Sequence, residues 1–512
     1  MASRDWSFIN NLAKWHSTEI KVLGGIEMVL SLALLFPAIY ASFVGEDMMV
    51  FLLPIPPLFA LGLIQFLLFA PSINFRTVNG LILVALSWLV MFFYGSVPFI
   101  LGGMDFIDGM FESVNGFTTT GSSVITDVFA WDESLLVWRS MTQWIGGIAV
   151  VFIFIYILPM FGMGRTFFSN ELEGSGSSRF SMKLRNAAKS FIFVYVTLTI
   201  ADFLLLLVCQ ASFRDALCLS LTTISTGGLL ISNNSLMDMN ISIQLVTMFF
   251  MFIGGVNFYL HFKAMISRSP KAYTENRELR CLVAWFLVIA IIIYIVHDYP
   301  LISAGAISAE TAILDFKNAI FTVISLGTTT GVYVSDFSQY SEIVLFILTV
   351  VMMVGASAGS TSGGIKFGRI RIMFRFFINT LNNVLHPNAV YTVKMDNENI
   401  DDSRVLSAVS ITLLYILTMF ISTTVLLSQG LPWVDSVSLA VGTVTNTGIG
   451  FGSFGPLGTF DVLSDPLKIF LMIIMWMGRL EIMLALVFFT PGFWHDVRFA
   501  YRSSRKRRHV KD

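Results

Sequence analysis

The 512-residue chain is poor in charge: Asp, Glu, Lys and Arg make up 13% of it, and 33 acidic residues nearly cancel 32 basic ones for a net of −1. Soluble domains carry about 25% charged residues, so an ordinary cytosolic or disordered protein is excluded. Cysteine is scarcer still. Cys209, Cys218 and Cys281 are odd in number, widely spaced and free of any C-x-x-C or Cys/His pattern, which argues against a disulfide framework or a zinc site and leaves three small apolar side chains. The six histidines (His16, His261, His297, His386, His495, His509) are scattered. No Ser/His/Asp set or pair of pocket carboxylates stands out, so the sequence reads as no enzyme and as holding no cofactor. Two nucleotide motifs match by letter only: Gly450-Phe-Gly452-Ser-Phe-Gly455 has no strand before it, and in GSTSGGIK Ile365 separates the glycines from Lys366.

What the chain does have is hydrophobic length, with 55% hydrophobic residues and a mean hydropathy of +0.76. A bilayer core of about 30 Å takes roughly 20 apolar residues per helix. Ten runs fit that ruler: 22–44, 49–70, 79–102, 135–161, 190–212, 242–267, 281–304, 341–378, 407–429 and 467–490. The expected class is an all-α polytopic membrane protein with ten transmembrane helices. The polar stretch MASRDWSFINNLAKWHS is too long for a cleavable leader, so the first span is expected to be retained.

Basic residues follow alternate spans, as the positive-inside rule requires. The connection 162–189 carries Arg165, Arg179, Lys183, Arg185 and Lys189, and 263–280 carries Lys263, Arg268, Lys271, Arg277 and Arg280. Lys366, Arg369, Arg371 and Arg375, the N-terminal Arg4 and Lys14, and the tail from Arg502 to Lys511 fall on the same side; Glu46, Asp47, Asp105, Asp108, Asp127, Asp132 and Glu133 fall on the other. Both termini are therefore expected in the cytoplasm of a multi-pass cell-membrane protein. The basic tail reads as a flank facing anionic lipid, not as a nucleic-acid patch.

Between spans lie four apolar stretches too short to cross: FIDGMFESVNGFTTTG (106–121), FRDALCLSLTTISTG (213–227), FKNAIFTVISLGTTTG (316–331) and WVDSVSLAVGTVTNTG (433–448). In each an aromatic (Phe106, Phe213, Phe316, Trp433) is followed two places later by Asp108, Asp215, Asn318 or Asp435, and the end is Thr-Gly. The second stretch is one residue shorter than the others. Asp and Asn are strong helix N-caps, so each stretch is expected to be a short helix begun at the Asx, ending in a turn at membrane depth. Non-helical backbone is tolerated there only inside protein or along a wet cavity, and four such turns call for one shared cavity. Four half-helices around a pseudo-fourfold axis would aim their partially negative ends at its centre, where short extended segments present carbonyls able to replace a cation's water. The quarters are expected at 79–186, 187–280, 281–405 and 406–495, after a two-helix hairpin at 1–78 and before a basic tail at 496–512.

Together with these turns, the motifs WRSMTQWIGG (138–147), MFIGGVNFYLHF (251–262), GASAGSTSGGIK (355–366) and MGRLE (477–481) make the chain resemble the Trk/Ktr/HKT superfamily of potassium transporters over essentially its whole length. The extra N-terminal hairpin is similar to that of the TrkH/TrkG type. The resemblance implies a potassium filter at Thr119-Thr120-Gly121, Ser225-Thr226-Gly227, Thr329-Thr330-Gly331 and Asn446-Thr447-Gly448, with K+ the transported ion and the only metal. In the plant branch a serine at the first glycine goes with sodium preference, so Gly121 argues for potassium. The resemblance further implies a homodimer gated by a cytosolic, TrkA-like ring of nucleotide-binding subunits.

The run 341–378 is too long for one crossing and is interrupted by Gly355, Ala356, Ser357, Ala358, Gly359, Ser360, Thr361, Ser362, Gly363 and Gly364. Four glycines and competing hydroxyls remove helix propensity, so a break at mid-membrane is expected, against the alternative of a small-xxx-small packing face. A loop there could obstruct the pore. Arg479 and Glu481, within the last span, are two apart and cannot pair along a helix; Arg479 either joins an interhelical ion pair or sits below the filter as a barrier to cations. Glu481 is expected to meet a buried donor, and Asp202 and Arg139 to be structural or to lie at the pore mouth. Two other functions stay open: a proton- or sodium-coupled potassium symporter with the same filter, and an intramembrane enzyme, for which no catalytic pair is visible.

Overall fold

A computed structural model describes residues 17–70, 77–152, 177–229, 231–298, 309–386, 392–395 and 398–497. The N-terminal basic residues, the tail and most of the 162–189 connection lie outside the described residues.

A hairpin comes first: α1 (Ser17–Ala33) and α2 (Leu35–Val44) run on as one span, and α3 (Met49–Leu52) leads into α4 (Ile55–Leu68). It closes because neither strand of the crossing has a side chain at its centre. A Cβ on Gly24 would lie 2.5 Å from the Gly62 carbonyl oxygen, so the two backbones touch, as small residues allow in lipid. Gln65 donates to Glu27 at 3.2 Å across the same seam.

The order long helix, short helix, turn, helix then recurs four times. The elements are α5 (Thr77–Leu101), α6 (Phe106–Phe117) and α7 (Glu133–Phe152); α8 (Ser177–Val208), α9 (Phe213–Ile224), α10 (Ile241–Gly255) and α11 (Phe258–Ser267). After the connector α12 (Lys271–Glu275) come α13 (Arg277–Ile293), α14 (Ala309–Gly327), α15 (Glu342–Val354) and α16 (Phe367–Leu385). A two-residue hairpin, β1 (Lys394–Met395) against β2 (Glu398–Asn399), precedes α17 (Asp402–Ser428), α18 (Trp433–Val444), α19 (Asp465–Arg479) and α20 (Ile482–Val487). Each short helix packs on the two long helices of its own unit and on the last long helix of the unit before it: α6 on α19, α9 on α7, α14 on α10, α18 on α15. The packing is therefore cyclic. Six described helices are long and apolar enough to cross a membrane, or seven if the bent pair α10–α11 counts as one, and exposed Phe43, Leu67, Val208 and Phe420 face outward, where lipid replaces a protein partner.

Three expectations need correction. The run 242–267 is not one straight span: α10 and α11 meet at 100°. Gly254 and Gly255 weaken the first helix, and Asn257 caps the second, its Oδ1 accepting from Tyr259 N–H at 2.9 Å. The last run breaks too, at Glu481, whose φ of 67° ends α19 and starts α20. Lastly, the Asx residues are not N-caps. Asp108, Asp215 and Asp435 are the third residues of their helices, whose caps are Asp105, Ser212 and Pro432; there a carboxylate favours the helix dipole, and Ser212 Oγ accepts from Asp215 N–H at 3.1 Å. Asn318 lies inside α14, which begins seven residues before Phe316.

Candidate functional site: a ring of four helix-ending turns

The short helices end alike. After each C-terminal residue comes a right-handed one, then a left-handed one: Thr119, Thr226, Thr329 and Asn446 have φ of 50°, 53°, 57° and 55°. The next amide turns back to a helix carbonyl, Thr120 to Asn115 at 3.0 Å and Gly227 to Thr222, Thr330 to Ser325 and Thr447 to Gly442 at 2.8 Å each. This is a Schellman-type closure with a side chain where glycine is usual, at a cost of roughly 1–2 kcal/mol per turn. One residue further, Gly121, Gly228, Gly331 and Gly448 again have positive φ, 89°, 68°, 80° and 75°.

This repeat corrects the register of the second turn. Its counterpart of Thr119-Thr120-Gly121 is Thr226-Gly227-Gly228, one residue later than Ser225-Thr226-Gly227. Ser225 matches Thr118, Thr328 and Thr445, and α6, α9 and α18 are all 12 residues long; the second stretch only looks short because its first Thr-Gly is not the equivalent one. The signal was the doubled glycine in Ser-Thr-Gly-Gly.

The four turns meet. A Cβ on Gly121 would lie 2.5 Å from the Gly227 carbonyl oxygen, and one on Gly228, Gly331 or Gly448 would overlap the carbonyl oxygen of Thr330, Thr447 or Thr120. Each glycine faces the carbonyl just before the glycine of the next turn, and the last faces the first. Asn446 crosses the same joint, its Nδ2 donating to Thr120 Oγ1 at 2.9 Å and to the Met475 carbonyl at 3.0 Å.

Around the ring, close packing repeats. Gly146 of α7 and Gly478 of α19 lie against the carbonyls of Phe117 and Val444, the last residues of α6 and α18, too close for a side chain. Glu112 of α6 is fully buried and holds the chain leaving the first turn: it accepts from Ser123 Oγ at 2.7 Å and Val124 N–H at 2.8 Å, and pairs with Arg139 Nε at 2.9 Å. Arg139 is thus structural, as expected. Asp202 is buried in α8, with neither carboxylate oxygen bonded among the described residues.

The break in 341–378 is real, with no helix between Val354 and Phe367. Its loop lies against three turns. Thr361 Oγ1 donates to the carbonyls of Ile224 at 3.0 Å and Gly254 at 3.2 Å, Thr226 Oγ1 donates to Thr361 Oγ1 at 3.3 Å, and Gly363 N–H donates to Thr329 Oγ1 at 2.6 Å. Gly363 also abuts the Thr445 carbonyl. The kink between α10 and α11 receives the loop's other side: Ser357 N–H donates to the Gly255 carbonyl and Phe258 N–H to the Gly359 carbonyl, each at 3.1 Å. Asn257, which shapes that kink, was not singled out from sequence.

Arg479 is 4% exposed and donates from Nη1 to the Thr361 carbonyl at 2.8 Å, while its Nε and Nη2 have no hydrogen-bond partner among the described residues. It therefore forms no interhelical ion pair there. Glu481 pairs with Arg369 at 2.8 Å, a guanidinium that is partly exposed and not the buried donor expected.

Helices of membrane length converging on a buried ring of backbone carbonyls define a polytopic membrane protein of the transporter or channel class. The chain belongs to the TrkH family, described as cation transport proteins, whose model matches residues 58–495. It is 28% identical to the Trk system potassium uptake protein TrkH of Halomonas elongata over 490 residues, covering 93% of this chain and 98% of the relative, and 30% identical over 425 residues to that of Salmonella typhimurium, covering 82% and 86%. The TrkG protein of Escherichia coli is 28% identical, covering 92% and 97%. The crystal structure of the potassium transporter TrkH from Vibrio parahaemolyticus superposes with a TM-score of 0.83 at 27% identity, covering 94% of this chain and all of that one.

Proposed function

We propose that the protein takes up potassium across the cell membrane, through the centre of the four-turn ring. The observation that carries this reading is the cyclic fit of each positive-φ glycine against the next turn's carbonyl. Side chains differ from turn to turn (Thr119, Thr226, Thr329, Asn446), so the element common to all four is backbone, the ligand type suited to a dehydrated cation. The filter would comprise residues 119–121, 226–228, 329–331 and 446–448. The names of the relatives supply potassium as the cargo. Loop 355–364 and Arg479 would restrict flux, because a buried guanidinium with spare donors beside Thr361 repels cations.

In the same reading the chain crosses the inner membrane ten times, in four pseudo-repeats bounded as the sequence suggests, with both termini inside. It pairs as a homodimer and is regulated by a cytosolic nucleotide-binding subunit docking on the basic loops. Charge reversal at Lys263, Arg268 and Lys271 should then abolish capture of that subunit; undiminished capture would count against the docking site.

The deciding experiment is rubidium uptake by liposomes holding the full chain. Uptake competed by potassium far better than by sodium, following the potassium gradient and unmoved by an imposed pH or sodium gradient, is expected. Uptake driven by either of those gradients would instead make the protein a coupled symporter, and absence of competed uptake would overturn the reading.

A further inference from the structure

We infer that Gln143, on α7, completes the second turn of the ring and helps set how strictly the ring discriminates between cations; the inference rests on the ring's being the ion-selecting site. In three turns the residue between the left-handed position and the glycine is threonine, and its hydroxyl is tied to the one two residues earlier: Thr120 with Thr118 at 2.7 Å, Thr330 with Thr328 and Thr447 with Thr445 at 2.8 Å. The second turn has Gly227 at that place. The Ser225 hydroxyl donates to its helix carbonyl, Leu221 at 2.8 Å, as those of Thr118, Thr328 and Thr445 do to theirs, but it has no such neighbouring hydroxyl two residues later. With Gly228 following, this turn also carries two adjacent glycines, the residues with the most backbone freedom to lose.

Gln143 occupies the vacant place. A Cβ on Gly227 would overlap the Gln143 carboxamide, so the glutamine fills the volume that a threonine takes in the other turns. The side chain is wholly buried. Its Nε2 donates to the Gly227 carbonyl at 2.7 Å and its Oε1 accepts from Leu229 N–H at 3.2 Å. One acceptor and one donor on the same backbone fix the amide's orientation, and they straddle Gly228. The Gly227 carbonyl is the one that faces Gly121 in the ring. A carbonyl has two lone pairs, and here one is committed to an amide from another unit of the fold. The second turn is braced at the carbonyl before its ring glycine, where the other three have a threonine hydroxyl pair; elsewhere in the ring the Gly448 carbonyl accepts from Ser122 Oγ at 3.2 Å. Gln143 is a positioning residue, and the ring is built three plus one.

The test uses the full chain in liposomes, measuring rubidium uptake and its competition by external potassium and sodium. Gln143→Glu removes the donor while keeping an acceptor for Leu229; Gln143→Ala removes both. Each is expected to lower the preference for potassium over sodium by about tenfold, the scale of one buried hydrogen bond. Gly227→Thr is expected to abolish uptake in the wild-type background, where Gln143 fills the space, and to restore uptake and preference when combined with Gln143→Ala. A purely space-filling role would leave the preference intact in Gln143→Glu, and that result overturns the inference. So does a double variant no better than Gln143→Ala, including one in which uptake has been lost in both. If the wild-type chain itself shows no potassium-competed uptake, the reading of the ring fails, and the inference with it.

Discussion

Arg369 and Glu481 lie 2.8 Å apart and join two points at which a membrane helix stops and restarts. Arg369 is in the first turn of α16, whose cap residue Lys366 has a φ of 81°; Glu481 is itself the cap of α20, with a φ of 67°. Both caps occupy a backbone region that side chains disfavour, so the ion pair holds together two strained joints, one at each end of the arrangement around Thr361 and Arg479. Arg369→Ala and Glu481→Ala should each destabilise the protein by about 2 kcal/mol, below the roughly 3–5 kcal/mol of a fully buried pair. The double variant should cost little more than either single change, as thermal unfolding in detergent would register.

Removing the charge at position 479 should open the pathway. A unit charge about 8 Å from a passing cation costs it about 2 kcal/mol at an effective dielectric constant of about 20, or roughly thirtyfold in occupancy. Arg479→Ala and a shortened 355–364 loop should both raise rubidium uptake into liposomes; rates equal to wild type in both would argue against a barrier there.

The ring glycines should tolerate no side chain, whereas glycines with the same φ elsewhere should. Gly331→Ala would drive a methyl into the Thr447 carbonyl, while Gly430, with φ of 84°, has nothing within 4 Å. Gly430→Ala should cost only about 1 kcal/mol of backbone strain and leave uptake near normal. Gly331→Ala should abolish uptake, and a comparison of the two at equal expression separates packing from backbone preference.

Glu112→Gln keeps the shape of the side chain but removes the charge paired with Arg139. A buried guanidinium left without its carboxylate is expected to cost about 3 kcal/mol. The unfolding midpoint should fall, and restoration by the added change Arg139→Met would identify the buried charge as the cause.

Much of the architecture was legible because lipid imposes long apolar runs and because a four-times-repeated Thr-Gly motif has few innocent explanations. The break in the third unit was readable from Gly355 to Gly364, since four glycines and four hydroxyls cannot sustain a helix. The breaks at Val256 and Glu481 are less so: Gly254, Gly255 and the Asn257 cap permit the first, but it is completed by the loop's hydrogen bonds to Gly255 and Phe258, and Glu481 adopts its φ beside Arg369. The register of the second turn is likewise set in three dimensions. Ser-Thr-Gly looks complete in one dimension; the doubled glycine hints at a second choice, and the sign of φ at Thr226 and Gly228 shows which glycine answers to Gly121. Likewise, Asp108, Asp215 and Asp435 resemble caps by type, but Asp105, Ser212 and Pro432 precede them by three residues and take that place.

The joint between Gly448 and Thr120 has a bearing on biogenesis. These residues are neighbours in space but are separated by 328 positions in the chain, so the first turn waits for the last to be synthesised and inserted before its carbonyl meets a partner. A nascent chain holding only the first three turns has an open seam where α19 later packs against α6. The ring is thus closed by the last-made part of the chain, and it is complete only in the whole protein.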